Sequence, residues 1–210
     1  MDLIFFGMQG SGKGTLGKFV AQKYGMDIFE MGGELRKLSQ SDSELGKKVK
    51  SIIEAGHLVS DDVVMEIVEN FMNNLPSGKS IIFDGIPRKV EQAKLLNAVL
   101  KKHNRTYKAV LLDIAQETAM KRLTTRRICK NCKAVYPAVY TNPTCEKCNG
   151  ELITRSDDNP EAIRTRLEAF QKETIPSINM YADNLIKING EATIEEVNRL
   201  ATEALDAVMK

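Results

Sequence analysis

Nine residues near the start of the chain restrict its fold more than any others. Gly7-Met8-Gln9-Gly10-Ser11-Gly12-Lys13-Gly14-Thr15 follows an apolar run of strand length, residues 2–6, and opens a helical pattern. Its four glycines permit a tight backbone path, and successive N–H groups along such a path converge on phosphate oxygens. The following helix N-terminus adds positive potential, and Lys13 reaches the β- and γ-phosphates. The strict pattern places Ser or Thr directly after the lysine; here Gly14 intervenes and Thr15 follows. An ordinary glycine-rich turn has no need of the lysine, so the stretch predicts a nucleoside triphosphate site.

Four more short apolar runs follow: Met26–Phe29, Ser80–Phe83 ending at Asp84-Gly85, Ala109–Asp113, and Leu185–Ile188 closed by Asn189-Gly190. Continuously apolar strands of this length predict a parallel sheet buried on both faces. Helical patterns lie between them. Ser60-Asp61-Asp62 is placed to cap a helix whose Val63, Val64, Ile67, Val68 and Phe71 share one face, and Leu75-Pro76-Ser77-Gly78 stops it. Thr193 with Glu196 forms a capping box for the last helix. Alternating strands and helices give a doubly wound α/β domain. A length of 210 residues suits one such domain with small insertions. Asp84, at the end of a buried strand beside a phosphate loop, is placed to hold the waters of a Mg²⁺ ion.

The formal net charge is +2, which gives no electrostatic case for nucleic acid or an anionic membrane as partner. No apolar run approaches the roughly 20 residues of a membrane span. The N-terminal segment is too short for a signal peptide and lacks a basic leader, so a cytoplasmic protein is expected. The composition changes once, over residues 128–153, where Cys, Asn, Pro and Tyr replace helix formers. Cys129, Cys132, Cys145 and Cys148 stand there as two C-x2-C pairs with 12 residues between them. Two knuckles of this spacing fit a closed tetrahedral thiolate site, Zn²⁺ by default and Fe with the same ligands, and a closed site is structural. The small subdomain has almost no apolar core, so the metal supplies its folding energy.

Arg122, Arg126 and Arg127 precede this insertion; Arg155, Arg164 and Arg166 follow it. Arg122 and Arg126 are four apart and are expected on one helix face. Arginines that flank a metal-stapled flap would clamp phosphates bidentately and close over them. Asp157-Asp158 beside Arg155 also allow an ion-pair network.

Taken together these features resemble the adenylate kinase family, in its long bacterial-type form with a metal-binding lid. The likeness runs nearly end to end: Gly7–Thr15, Gly32…Leu35-Arg36, Gly56–Asp61, Asp84-Gly85-Ile86-Pro87-Arg88…Gln92, Arg122…Arg126-Arg127-Ile128-Cys129, Leu152…Arg155-Ser156-Asp157-Asp158…Arg164-Thr165-Arg166, then Pro176 and Tyr181. The resemblance implies a P-loop NTPase-type doubly wound sheet of five parallel strands with helices on both faces. It implies a core of residues 1–29, 60–121 and 156–210, a helical monophosphate-binding insertion at 30–59, and a zinc-binding four-cysteine lid at 122–155. It also implies a monomer that catalyses Mg²⁺-dependent transfer between ATP and AMP to give two ADP. Gly10, Ser11, Gly12, Lys13, Gly14, Thr15, Arg122, Arg126, Val135, Tyr136 and Ala192 would contact ATP. Met31, Arg36, His57, Leu58, Val59, Gly85, Ile86, Pro87, Arg88, Gln92, Arg155 and Arg166 would line the AMP site. Lys13, Arg88, Arg122, Arg155 and Arg166 would grip the transferring phosphates, and Asp157 and Asp158 would support lid closure.

The sequence departs from the family at several of these places. Glu30-Met31-Gly32-Gly33 replaces its Ser-Thr-Gly-Asp, so a thioether that cannot donate a hydrogen bond replaces the threonine that touches the AMP base. Gln9 replaces a proline, Ile86 a phenylalanine, and the loop between the knuckles is about four residues short. Two other readings stay open on the residues alone. One is a UMP/CMP-type or broadly specific monophosphate kinase; the other is a nucleotide-gated zinc ribbon that binds nucleic acid.

Overall fold

The computed structural model describes residues 1–137 and 139–209. Five strands form one sheet in the order β2-β3-β1-β4-β8, every neighbouring pair parallel: β1 (Asp2–Phe6), β2 (Asp27–Glu30), β3 (Ile81–Asp84), β4 (Tyr107–Asp113) and β8 (Leu185–Asn189). These are the five predicted runs, displaced by a residue or two at their ends. Successive side chains on β1 feed opposite faces. Ile4 and Phe6 join a core with Phe29, Phe83 and Leu96; Leu3 and Phe5 join a second with Leu16, Val20 and Ile82. Strand β1 is buried along its whole length, whereas the edge strands β2 and β8 are only partly covered.

The helices are α1 (Lys13–Tyr24), α2 (Met31–Leu38), α3 (Glu44–Glu54), α4 (Asp61–Asn73), α5 (Val90–Lys102), α6 (Gln116–Thr125), α7 (Pro160–Ala169), α8 (Ile175–Asn179) and α9 (Ile194–Asp206). A π-helical turn, Phe170–Thr174, joins α7 to α8. Among the described residues no helix is long and apolar enough to cross a membrane.

Two predicted caps behave differently from expectation. Ser60 occupies the N-cap of α4, but its side chain makes no capping hydrogen bond. Thr193 accepts from the Glu196 N–H as expected, yet the Glu196 carboxylate pairs with Arg199 instead of returning to close the box. A guanidinium offers a carboxylate a stronger, bidentate partner than one backbone N–H does.

The cysteine-bearing segment forms a separate three-stranded antiparallel sheet in the order β6-β5-β7: β5 (Arg127–Cys129), β6 (Val135–Tyr136) and β7 (Leu152–Ile153). Its buried cluster is Cys129, Ala134, Tyr136 and Cys145. These strands have two or three residues each, too few to show a period in the sequence.

Candidate active site

The chain reverses its direction of travel across the sheet between β1 and β4, because β1 connects leftward to β2 and β4 rightward to β8. Open α/β sheets bind ligands at such a switch, outside the carboxyl ends of the strands. The glycine-rich loop sits there. A side chain at Gly7 would lie 2.6 Å from the Leu112 carbonyl of β4, so only glycine lets the loop turn against that strand. Gly12, with φ +100, supplies the left-handed N-cap of α1. The Lys13 ammonium folds back over the loop and donates to the Gly7 carbonyl at 2.6 Å and the Met8 carbonyl at 3.2 Å.

Asp84 ends β3 on the other side of β1 and is 8% exposed. A side chain at Gly14 would come within 3.9 Å of its carboxylate. Burial raises the Asp84 carboxyl above its usual range, against the pull of Lys13; burial lowers Lys13, against the pull of Asp84. Arg88 is likewise lowered by burial and held up in part by Asp84. Its Nε donates to the Gly85 carbonyl at 2.9 Å, which lays the guanidinium along the loop that follows β3. Gly85 and the cis Ile86–Pro87 bond shape that loop, with Ile86 buried and Met31 packed close by at 2% exposure.

The predicted arginines divide between two tasks. Arg122 donates to the carbonyls of Ser11 at 3.3 Å and Gly190 at 3.0 Å, tying α6 to the phosphate loop and to the turn after β8 that carries Ala192. Arg126 does not share its helix face, contrary to expectation. α6 ends at Thr125, and Arg126 takes an extended conformation that leads into β5. Its guanidinium pairs with Asp158, Nε to Oδ2 at 2.9 Å and Nη2 to Oδ1 at 2.7 Å. Arg166 pairs with both Asp157 at 2.9 Å and Asp158 at 2.8 Å. Asp158 thus joins the arginine groups on either side of the insertion, and Asp157 adds a second hold on Arg166. Burial, then the like charges of Arg126 and Arg36, pull Arg155 down to about 10.

Buried side-chain polar atoms without a protein partner are Gln9 Oε1, Ser11 Oγ, Arg155 Nε, Arg166 Nε and Ser177 Oγ among the described residues. All but the last belong to the phosphate loop or the arginine cluster. Buried polar atoms are ordinarily paired, so the concentration here marks a surface built for a polar ligand.

On the α2–α3 side, Arg36 pairs with Glu30 at 2.9 Å. His57 is exposed, Leu58 half-buried, and Val59 lies in the core. Gln92 is 3% exposed; its Oε1 accepts from the Arg88 N–H at 2.8 Å and its Nε2 donates to Asp61 Oδ1 at 2.9 Å. Sequence reasoning misses Glu30 and Asp61 as the partners of predicted site residues: neither pair stands at a helical spacing, so no spacing rule exposes them.

The four cysteine Sγ atoms lie within 4.8 Å of one another, with Cys129–Cys148 and Cys132–Cys145 each at 3.4 Å. Tetrahedral ligands at about 2.3 Å from a metal are about 3.8 Å apart, so this group can hold a metal ion. Val135 is exposed on β6, while the Tyr136 hydroxyl turns inward to Cys145 Sγ at 3.0 Å. That hydroxyl, with backbone N–H groups, outweighs burial and brings the Cys145 thiol down to about 6.

A parallel sheet with a lysine-bearing phosphate loop at its switch point, an acid at the end of the next strand and a cluster of arginines defines a P-loop nucleotide-binding protein of the phosphotransferase kind. The family model described as adenylate kinase matches residues 5–186. The adenylate kinases of Kosmotoga olearia and Archaeoglobus fulgidus are each 40% identical over 204 residues, covering 94% of this chain and 95% and 94% of theirs. That of Nitrosococcus oceani is 37% identical over 214 residues, covering 98% of this chain and 99% of its own. The chain belongs to the adenylate kinase family.

Proposed function

We propose that this chain transfers a phosphoryl group reversibly from ATP to AMP, giving two ADP, in a Mg²⁺-dependent reaction. The observation that carries this reading is the set of cations Lys13, Arg88, Arg155 and Arg166, half-buried or buried, of which Lys13 and Arg88 act on Asp84 at the switch point, with unpartnered polar atoms among them. An oxygen of the AMP phosphate forms the new bond to the γ-phosphorus as the bond from that phosphorus to the β–γ bridging oxygen breaks. ADP leaves with the electron pair. The attacking phosphate is already anionic, so no general base is needed and positioning with charge neutralisation does the catalysis.

In this reading Gly10–Thr15 cradle the ATP phosphates through backbone N–H groups, and Lys13 exchanges its two carbonyl partners for phosphate oxygens. Arg122 and Arg126 face the same nucleotide, with the backbone near Ala192 beside its base. Arg36 and Arg88 hold the acceptor phosphate. Arg155 and Arg166 bridge the two nucleotides, and His57–Val59, Gly85–Pro87 and Gln92 line the acceptor. Mg²⁺ held through water by Asp84 would neutralise charge on the β- and γ-phosphates. Residues 30–59 form the acceptor arm and 122–155 the lid, on a core of 1–29, 60–121 and 156–210. The lid metal is read as structural Zn²⁺, since four thiolates leave no open position. Asp157 and Asp158 keep both ends of the lid aligned. A net charge of +2 favours free nucleotides over nucleic acid as partners, and reduced thiols kept for a metal suit the cytoplasm. We take the working form to be a monomer, as the family resemblance implies.

The test is purified protein with Mg²⁺ and ADP alone, its products separated by chromatography. ATP and AMP are expected in equal amounts. Intact ADP with no turnover of any monophosphate would overturn the reading. One observation supports a second acceptor: Met31, fully buried where a hydrogen-bonding threonine is usual, offers no donor to the base. A broadly specific kinase would turn over UMP or CMP as well as AMP in the same assay.

A further inference from the structure

Both ends of the Gln92 carboxamide are occupied, and the two partners are of opposite kinds. The Arg88 backbone N–H can only donate; an ionised carboxylate can only accept. With Oε1 on the Arg88 N–H at 2.8 Å and Nε2 on Asp61 Oδ1 at 2.9 Å, turning the amide over would set oxygen against oxygen and N–H against N–H. Only one of its two orientations is open, whichever way a carboxamide is first drawn. Lys89 Nζ stands 3.4 Å from the same Asp61 oxygen and steadies the carboxylate. Asp61 is the first residue of α4 and Gln92 lies in the first turn of α5, so the contact joins two helices.

Each partner takes one bonding position of the amide. One N–H and one lone pair of Gln92 remain, a donor and an acceptor in fixed order. The six-membered edge of adenine offers the complementary order, an amino donor beside a ring-nitrogen acceptor. Hypoxanthine offers the reverse, a carbonyl acceptor beside a ring N–H donor. A bidentate amide tells such patterns apart. We infer that Asp61 is a specificity-determining positioning residue, which together with the Arg88 N–H holds the Gln92 carboxamide in the orientation that accepts a 6-aminopurine monophosphate and rejects a 6-oxopurine one. The inference rests on the reading that Gln92 meets the acceptor base.

The experiment compares kcat/KM for AMP and IMP in the full-length protein and three variants, with melting curves for each. In Asp61→Asn the new amide both donates and accepts, so one of the two locks is lifted and only the Arg88 N–H still opposes turning Gln92 over. The AMP-to-IMP ratio is expected to fall about fivefold, the share of one hydrogen-bond partner, through a gain with IMP and a higher KM for AMP. Asp62→Asn removes the same charge from the neighbouring, exposed position of the same helix turn and should keep the ratio. Gln92→Leu should collapse it. If Gln92→Leu leaves the ratio intact, Gln92 does not read the base and the underlying reading fails. If Gln92→Leu collapses the ratio while Asp61→Asn does not, the role given to Asp61 is overturned. Should Asp61→Asn melt early, Asp61→Ser keeps the test alive, because its hydroxyl also donates and accepts.

Discussion

The parallel sheet and the cysteine-bearing lid reach order by different routes. Strands β1, β3 and β4 run between two apolar clusters, with Leu3, Ile4, Ile81, Ile82 and Phe83 all at 0% exposure. Each such side chain contributes about 1.5–3 kcal/mol on burial, and many act together. The lid buries four residues as its own cluster, and two of those, Cys129 and Cys145, are candidate metal ligands. The sheet is therefore held by the number of its apolar contacts, while the lid, on the reading that its four thiolates bind a metal, would be held by the strength of a few bonds. Damage to one region should leave the other standing, and the contrast can be tested from that side.

The largest effect should come from stripping the metal. Chelation is expected to remove hydrogen-exchange protection from lid amides such as those of Cys129, Cys145 and Asn149 while the sheet keeps its own. A lid that stays protected without metal would break the comparison. Next is the converse injury. Leu96→Ala, at 0% exposure in the sheet core, should lower unfolding free energy by about 2–5 kcal/mol in denaturant titrations without changing the metal content. Smaller again is the seam between the regions. Asp158→Asn keeps the shape but removes the charge shared by Arg126 and Arg166, and should lower stability by about 1–3 kcal/mol. It should also raise the rate at which metal is lost to a chelator.

The smallest effect is a trend with pH. The Asp84 carboxyl is raised in the fold above its ordinary value of 3.8, so the folded protein holds that proton to higher pH than the unfolded chain does. Stability must therefore fall as pH rises from 3.8 through the folded value. The difference in melting temperature between the parent and Asp84→Asn should drift against the parent over that window and then level off. A drift in the parent's favour would reverse the sign assigned to burial at Asp84.

The same contrast explains what could be read from the sequence. Apolar runs such as Ser80–Phe83 and Ala109–Asp113 are legible because a buried parallel strand needs apolar residues on both faces. The phosphate loop is legible because glycine and lysine have few substitutes there, and the cysteine pairs because their spacing is a ligand geometry. The lid strands are not legible: β6 and β7 have two residues each, and the pull of Asp158 on Arg126 comes from 32 residues away. Nor does the pattern show Glu30 against Arg36 or Asp61 against Gln92. Those contacts are chosen by tertiary packing, and their spacing follows neither helical nor strand period.

The π-helical turn at Phe170–Thr174 carries a consequence for which positions of the chain can change length. It lets one continuous helical stretch work in two phases. Before it, Arg166 faces the acids of the lid seam; after it, Tyr181 packs against Phe6, the rings tilted and their centroids 5.2 Å apart, and donates to Asn97 at 3.1 Å. Within it, the Thr174 hydroxyl donates to the Arg88 carbonyl at 3.0 Å. Pro176 has no N–H to give back to a preceding carbonyl, and a widened turn just before it relieves the ring. Loss of a single residue here would rotate all that follows by about 100°, leaving chemistry and packing out of step. Between Tyr140 and Thr144, outside β6 and the lid's buried cluster, a change of length would only resize a loop; between Arg166 and Tyr181 the chain has no such slack.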